Sequence, residues 1–157
     1  MEYHERVVDR TLDELMAGLP AIALEGAKAV GKTATAKRRA ATILTLTEPP
    51  ARASVAANFD LVTQVLSPVF VDEWQLEPAV WDRIRQEVDD DPLAPGRFLL
   101  AGSADLAPGV RVRSGAGRII SLRMRPMSLA ERGLVEPTVS LGALLRGEAT
   151  GLAGSSP

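Results

Sequence analysis

The chain has no cysteine among its 157 residues. Disulfide cross-links, thiolate zinc sites and cysteine nucleophiles are therefore excluded. It has one histidine, His4, close to the N-terminus, which argues against a histidine metal site or a Ser-His-Asp triad. His4 itself reads as an exposed residue without a chemical role. Aromatic residues make up 4%, so the core has to be aliphatic. No apolar run approaches the roughly 18 residues of a membrane helix, and the first residues carry neither the basic start nor the apolar stretch of a signal peptide. An excess of one charge sign is missing as well: 18 Lys+Arg stand against 20 Asp+Glu, a formal net charge of -2. A dedicated polyanion binder needs a basic excess, so nucleic acid is not indicated as a partner. What is present is 46% apolar and 24% charged residues, the balance of a soluble one-domain protein. Together these features point to a reduced, cytoplasmic setting.

The apolar pattern alternates between strand and helix periods. Residues 6–19 place Val8, Leu12, Leu15, Met16 and Leu19 on one helical face, and Pro20 stops it. Residues 21–25 form a short apolar run ending at Gly26, a buried strand. Residues 32–41 are rich in Ala, Lys and Arg and read as a helix. Residues 42–47 alternate with β-branched side chains and read as a second strand, closed by Pro49-Pro50. A short helix is expected over 52–58, a strand over 69–72, and a helix opened by Glu77-Pro78 with Val80, Trp81, Ile84 and Val88 on its apolar face. Further strands are expected over 98–101 and 119–124, short helices over 128–132 and 141–145, and a mobile loop over 105–117. Residues 1–135 make up the core. Residues 136–157 hold a remnant helix and a disordered Gly/Ser-rich tail. Strands alternating with helices imply βαβ units and a mainly parallel sheet.

One segment carries chemistry. Gly26-Ala27-Lys28-Ala29-Val30-Gly31-Lys32-Thr33 matches G-x-x-x-x-G-K-[ST], the phosphate-binding P-loop. Phosphates need several backbone N–H donors aimed inward, which small residues permit, and a helix N-terminus favours the anion. Lys32 supplies a charge for the β- and γ-phosphates, and Thr33 a hydroxyl for Mg²⁺. The motif follows an expected strand and opens an expected helix, as its mechanism requires. Ala34, the residue after the motif, completes the candidate contacts. Val69-Phe70-Val71-Asp72-Glu73 adds an apolar strand ending in two acids. Asp72 suits Mg²⁺, a hard ion that prefers oxygen, and Glu73 beside it can act as a base toward water. Ser103, after the 98–101 strand, is the candidate sensor of the γ-phosphate. Among Arg111, Arg113, Arg118, Arg123 and Arg125, Arg118 is the candidate for neutralising transition-state charge, in cis or across a subunit interface. Lys37-Arg38-Arg39 reads as the exposed side of the P-loop helix, and Trp74 and Trp81 as packing residues.

Beyond the P-loop, more distinctive stretches follow: Tyr3 with Arg6-Val7-Val8-Asp9, Val71-Asp72-Glu73-Trp74-Gln75, Leu100-Ala101-Gly102-Ser103-Ala104, Ser114-Gly115-Ala116-Gly117-Arg118, and Leu122-Arg123-Met124-Arg125-Pro126-Met127-Ser128-Leu129. With these the chain resembles the N-terminal ATPase domain of prokaryotic AAA-type ATPases that carry a C-terminal domain of unknown function. The resemblance covers residues 3–135. It implies an α/β P-loop NTPase fold with strand order 5-1-4-3-2, ATP and Mg²⁺ as cofactors, and Glu73 as the catalytic acid after Asp72. Two departures stand out. Relatives continue into a long C-terminal half that covers the nucleotide, so this chain reads as truncated, with Val135, Val139, Leu141 and Leu144 left for a protein partner or a second copy. Ala29 also stands where such loops often carry glycine, and alanine fits there if its φ stays negative. The expected function is Mg²⁺-dependent ATP binding with hydrolysis. The alternative is a nucleotide-dependent regulatory or binding module without turnover; a small-molecule kinase and a non-binding remnant are the weaker readings.

Overall fold

A computed structural model describes residues 3–102, 114–136 and 139–148. Five strands form one sheet: β1 (Ala21–Glu25), β2 (Thr42–Thr45), β3 (Val69–Asp72), β4 (Phe98–Ala101) and β5 (Ile119–Arg123). Their order across the sheet is β2-β3-β4-β1-β5, and every neighbouring pair is parallel. Read from the other edge, this is the expected 5-1-4-3-2.

Apart from Glu25 and Asp72 at their C-terminal ends, the central strands are apolar because helices cover both faces. Alternate residues of each strand serve different layers. Ala21, Ala23, Val69, Val71, Phe98 and Leu100 join a core with Val55 of α3 (Pro49–Ala57), Val62 of α4 (Leu61–Gln64) and Val80, Trp81, Ile84 and Val88 of α5 (Ala79–Asp90). Ile22, Leu24, Phe70, Leu99 and Ala101 face the opposite side. There they meet Leu12 of α1 (Val7–Met16) and Ala36 of α2 (Lys32–Lys37). The result is a three-layer α/β domain of the P-loop NTPase type. Among the described residues no helix is long and apolar enough to cross a membrane.

Several boundaries differ from the sequence expectation, each for a local reason. Helix α2 stops at Lys37, short of residue 41, because the Ala41 and Thr42 amides donate to Pro68 O at 2.8 and 3.2 Å and start the sheet edge. Pro49-Pro50 ends the β2 connection but also forms the first turn of α3, where missing N–H donors cost nothing. Helix α4 was not expected; the Asn58 side chain accepts from the Asp60 amide at 3.0 Å and turns the chain into it. Residues 128–132 make a turn rather than a helix. Ser128 and Glu131 cap one turn reciprocally, and Gly133, at φ 67°, ends it. Helix α6 (Leu141–Leu145) forms as expected, with Ser140 Oγ accepting from the Ala143 amide. Residues 105–113 of the expected loop and 149–157 of the expected tail lie outside the described residues.

Candidate functional site

Parallel strands end together, so the C-terminal edge of the sheet gathers the loops after β1, β3 and β4. The loop after β1 wraps over that edge. Gly26, at φ 149°, begins it where a Cβ would collide with Met124 O. Gly31, at φ 104°, is the residue before α2. Between them Ala29 has φ 66°, a left-handed conformation. The condition that alanine keep a negative φ is therefore not met, and the loop takes the conformation a glycine would favour, at a backbone cost.

Lys32 is 8% exposed, and its Nζ donates to the loop's own carbonyls, Gly26 O at 2.8 Å and Ala27 O at 3.1 Å. Thr33, next along α2, donates its hydroxyl to the Asp72 carboxylate at 3.0 and 3.2 Å. Residues far apart in sequence thus meet because β3 ends beside the first turn of α2. Burial pushes the Asp72 carboxyl above the usual carboxylate range, and the Glu73 charge adds to this; the Thr33 hydrogen bond and Lys37 oppose it. Glu73 leaves the strand at φ 56° and starts the 3₁₀ turn Trp74–Leu76. Lys28, Ala29, Gly31, Lys32, Thr33, Ala34, Thr47, Glu73 and Leu76 line one cleft of about 610 Å³.

The donor set fits a hard divalent cation. A hydroxyl and a buried carboxylate converge, while no group of three His, Cys, Asp or Glu residues placed to hold a metal ion occurs among the described residues. An all-protein cage is not on offer there; Mg²⁺ characteristically takes its remaining oxygens from phosphate and water.

A second groove, about 810 Å³, lies on the other side of the same loop and shares Lys28, Ala29, Gly31 and Ala34 with the cleft. Its walls include Tyr3, His4, Arg6, Pro126, Met127 and Arg132. His4, which reads from the sequence as a residue without a chemical role, stands on this wall. Arg6 is 7% exposed and reaches three segments. It donates to Val30 O at 2.7 Å, to Arg125 O at 2.8 Å and to Glu131 Oε1 at 3.0 Å. Tyr3 donates to Asp9 at 2.7 Å, and its hydroxyl also lies 2.9 Å from Thr35 Oγ1 of α2. The three-residue spacing of Tyr3, Arg6 and Asp9 was the available signal for this brace.

Other candidates fall elsewhere. Arg118 precedes β5 at the N-terminal edge of the sheet, opposite the P-loop, and pairs with Asp89 at 2.6 Å. It does not join the cleft within this chain. Arg125 contributes its carbonyl to Arg6, and Arg123 is exposed on β5. Ser103, Arg111 and Arg113 lie outside the described residues. The 37–39 run is not simply a solvated face. Arg39 pairs with Asp9 at 3.0 Å and with Asp13 at 2.5 Å, and Arg38 stacks on Tyr3 at 4.4 Å. Trp74 and Trp81 pack on each other with ring centroids 4.6 Å apart.

A family model described as an AAA domain matches residues 19–133, from the approach to β1 to the turn after β5. The chain belongs to the AAA domain family. No curated protein matches it at a significant level. Membership makes this a domain of the nucleotide-binding, ATPase type, and the matched span contains the whole sheet together with the P-loop.

Proposed function

We propose that this AAA domain binds ATP with Mg²⁺ and hydrolyses it to ADP and phosphate. The observation that carries the proposal is the meeting of Thr33 and Asp72 at 3.0 Å beside Lys32, in a cleft that Glu73 also lines. The loop amides of residues 27–33 hold the phosphates. Lys32 exchanges its bonds to Gly26 O and Ala27 O for phosphate oxygens, so binding brings a loss of loop contacts and a gain of charge pairing. Thr33 and Asp72 hold Mg²⁺, which neutralises phosphate charge when bound. Asp72 has to be ionised for this; burial works against that form, and the Thr33 hydroxyl and Lys37 offset it in part. Glu73 orients water and accepts its proton. The groove walled by Tyr3, His4 and Met127 takes the nucleoside. Ser103 is the γ-phosphate sensor on sequence grounds, and a role for Arg118 requires a second copy of the chain. We place the protein in the cytoplasm.

A nucleotide-dependent binding module without turnover is the second reading. Exposed apolar side chains favour it: Leu134 at 60%, Val135 at 50%, Leu141 at 71% and Leu145 at 81%. Such residues suit a partner protein or a second copy.

Titration with a fluorescent ATP analogue and Mg²⁺, run beside Lys32→Ala and Glu73→Gln, separates the readings. Lys32→Ala is expected to lose binding by at least about tenfold. Glu73→Gln is expected to bind normally but turn over at least about 100-fold more slowly. Binding that survives Lys32→Ala sinks the proposal, and Lys32-dependent binding without turnover in the native chain supports the second reading.

A further inference from the structure

Gln75 follows Glu73 by two residues, inside the 3₁₀ turn Trp74–Leu76. Its Nε2 donates to Glu73 Oε2 in a short hydrogen bond. Glu73 lines the cleft, whereas the Gln75 amide lies behind it, against the end of β4. There Gly102 leaves the necessary room. A Cβ at position 102 would fall on Gln75 Oε1 and come within 3.1 Å of Trp74 Cδ1. Gly102 is buried, and its φ is not in the left-handed range, so its lack of a side chain matters here for space rather than for backbone freedom. Glu73 itself is held at φ 56°. A left-handed non-glycine residue persists where its surroundings fix it, and the Gln75 contact is one such constraint.

We propose that Gln75 is a positioning residue for Glu73, wedged in place by Gly102, so that the end of β4 and the acid after β3 move as one unit. This rests on the ATPase reading above for its consequence, but the contact itself does not. A carboxylate on a long side chain has several rotamers, and a base has to sit within hydrogen-bond reach of its water. The amide donor selects one rotamer of the Glu73 side chain. Gln75 touches neither nucleotide nor water in this scheme. Its effect passes entirely through Glu73.

The test is a cycle of variants: Gln75→Leu, Gln75→Glu and Gly102→Ala, each alone and combined with Glu73→Gln. Each single variant is expected to lower kcat about 10- to 100-fold, with KM and nucleotide-analogue affinity unchanged. Unchanged affinity also shows that the variant is folded. In the Glu73→Gln background none of the three is expected to cost anything more, because the group they position is gone. A kcat equal to the native value in Gln75→Leu overturns the proposal, as does a higher kcat, which would make the contact inhibitory. A further loss of the same size on top of Glu73→Gln overturns the route through Glu73.

Should Glu73→Gln turn over as the native chain does, the role of Glu73 as base fails instead, and should the native chain not turn over at all, the hydrolysis reading fails. The side-chain amide resonance of Gln75, identified by its loss in Gln75→Leu, then decides the contact by itself. It is expected away from the free-amide position in the native chain and back toward it in both Glu73→Ala and Gly102→Ala. A native resonance at the free-amide position removes the basis for the inference.

Discussion

Ala29 shows how a single residue is set by the loop around it. Its φ of 66° lies where an L-residue with a Cβ meets its own carbonyl. The loop holds that shape because Lys32 binds its carbonyls from inside and Arg6 binds Val30 O from outside. Glycine would meet no such cost, although it loses more freedom on folding. Ala29→Gly is accordingly expected to raise the urea midpoint, by an amount equivalent to about 0.5–1 kcal/mol, with nucleotide affinity unchanged. A lowered midpoint would mean that the left-handed conformation carries no strain. Glu73 shares the same backbone region, but its side chain has a task, so no gain from glycine is expected there.

At the scale of elements, the start of α1 and the turn after β5 are joined by one carboxylate. Glu131 accepts from the Val7 amide at 2.8 Å, from Arg6 Nε at 3.0 Å and from the Ser128 amide at 2.7 Å. Partial desolvation works against its ionisation but is outweighed by the Ser128 and Val7 amides, the Ser128 hydroxyl and Arg6, which lower its pKa from 4.5 to about 2. A depressed carboxyl pKa stabilises the fold fully above the unfolded value, and the effect fades as pH falls from about 4.5 toward 2. Glu131→Gln is therefore expected to cost about 1–2 kcal/mol at neutral pH, below the bare pKa difference because solvent screens a group near the surface. In urea unfolding at successive pH values, the gap between variant and native chain should close by about pH 2. A gap that stays constant with pH would assign the cost to packing rather than charge. Leu12, fully buried between α1 and the sheet, supplies the apolar half of the same junction.

For the molecule as a whole, the sheet edge and α2 place two grooves on either side of one loop. A ligand that fills both contacts the segment before α1, the P-loop, the residue after β3 and the turn after β5 together. Binding is then linked to global stability, since the unfolded chain has no such arrangement. ATP with Mg²⁺ at 100 times its Kd is expected to add about 2.7 kcal/mol, a rise in Tm of about 5–10 °C for a domain of this size. Lys32→Ala should show no comparable rise in a thermal melt. A native chain whose Tm does not respond to saturating nucleotide would contradict the linkage.

Much of the strand pattern was legible in advance, because apolar runs bounded by Gly and Pro admit few alternatives. Ala21–Glu25, Val69–Asp72 and Phe98–Ala101 appear where the sequence put them. Helix ends were less legible. The stop at Lys37 depends on Pro68 O, a partner some 30 residues away, and periodicity carries no information about it. At the site, the P-loop and the Asp72-Glu73 pair were readable as motifs, since their spacing is local. Pro49-Pro50, read as the end of a strand, also supplies the first turn of α3, and the helix start read at Ser128 stays a single turn because Gly133 ends it.

The sequence by itself determined that this is a cysteine-free α/β chain with a P-loop sequence motif between a buried strand and a helix. Those features follow from local periodicity, turn chemistry and the small residues a phosphate cradle needs. Only the tertiary structure decided which distant groups meet. It joined Thr33 to Asp72, set Arg6 behind Val30, paired Arg118 with Asp89 at the far edge, and opened room at Gly102 for Gln75. Contacts of that kind depend on strand order and register, which bring residues together by geometry and leave no periodic trace in the chain.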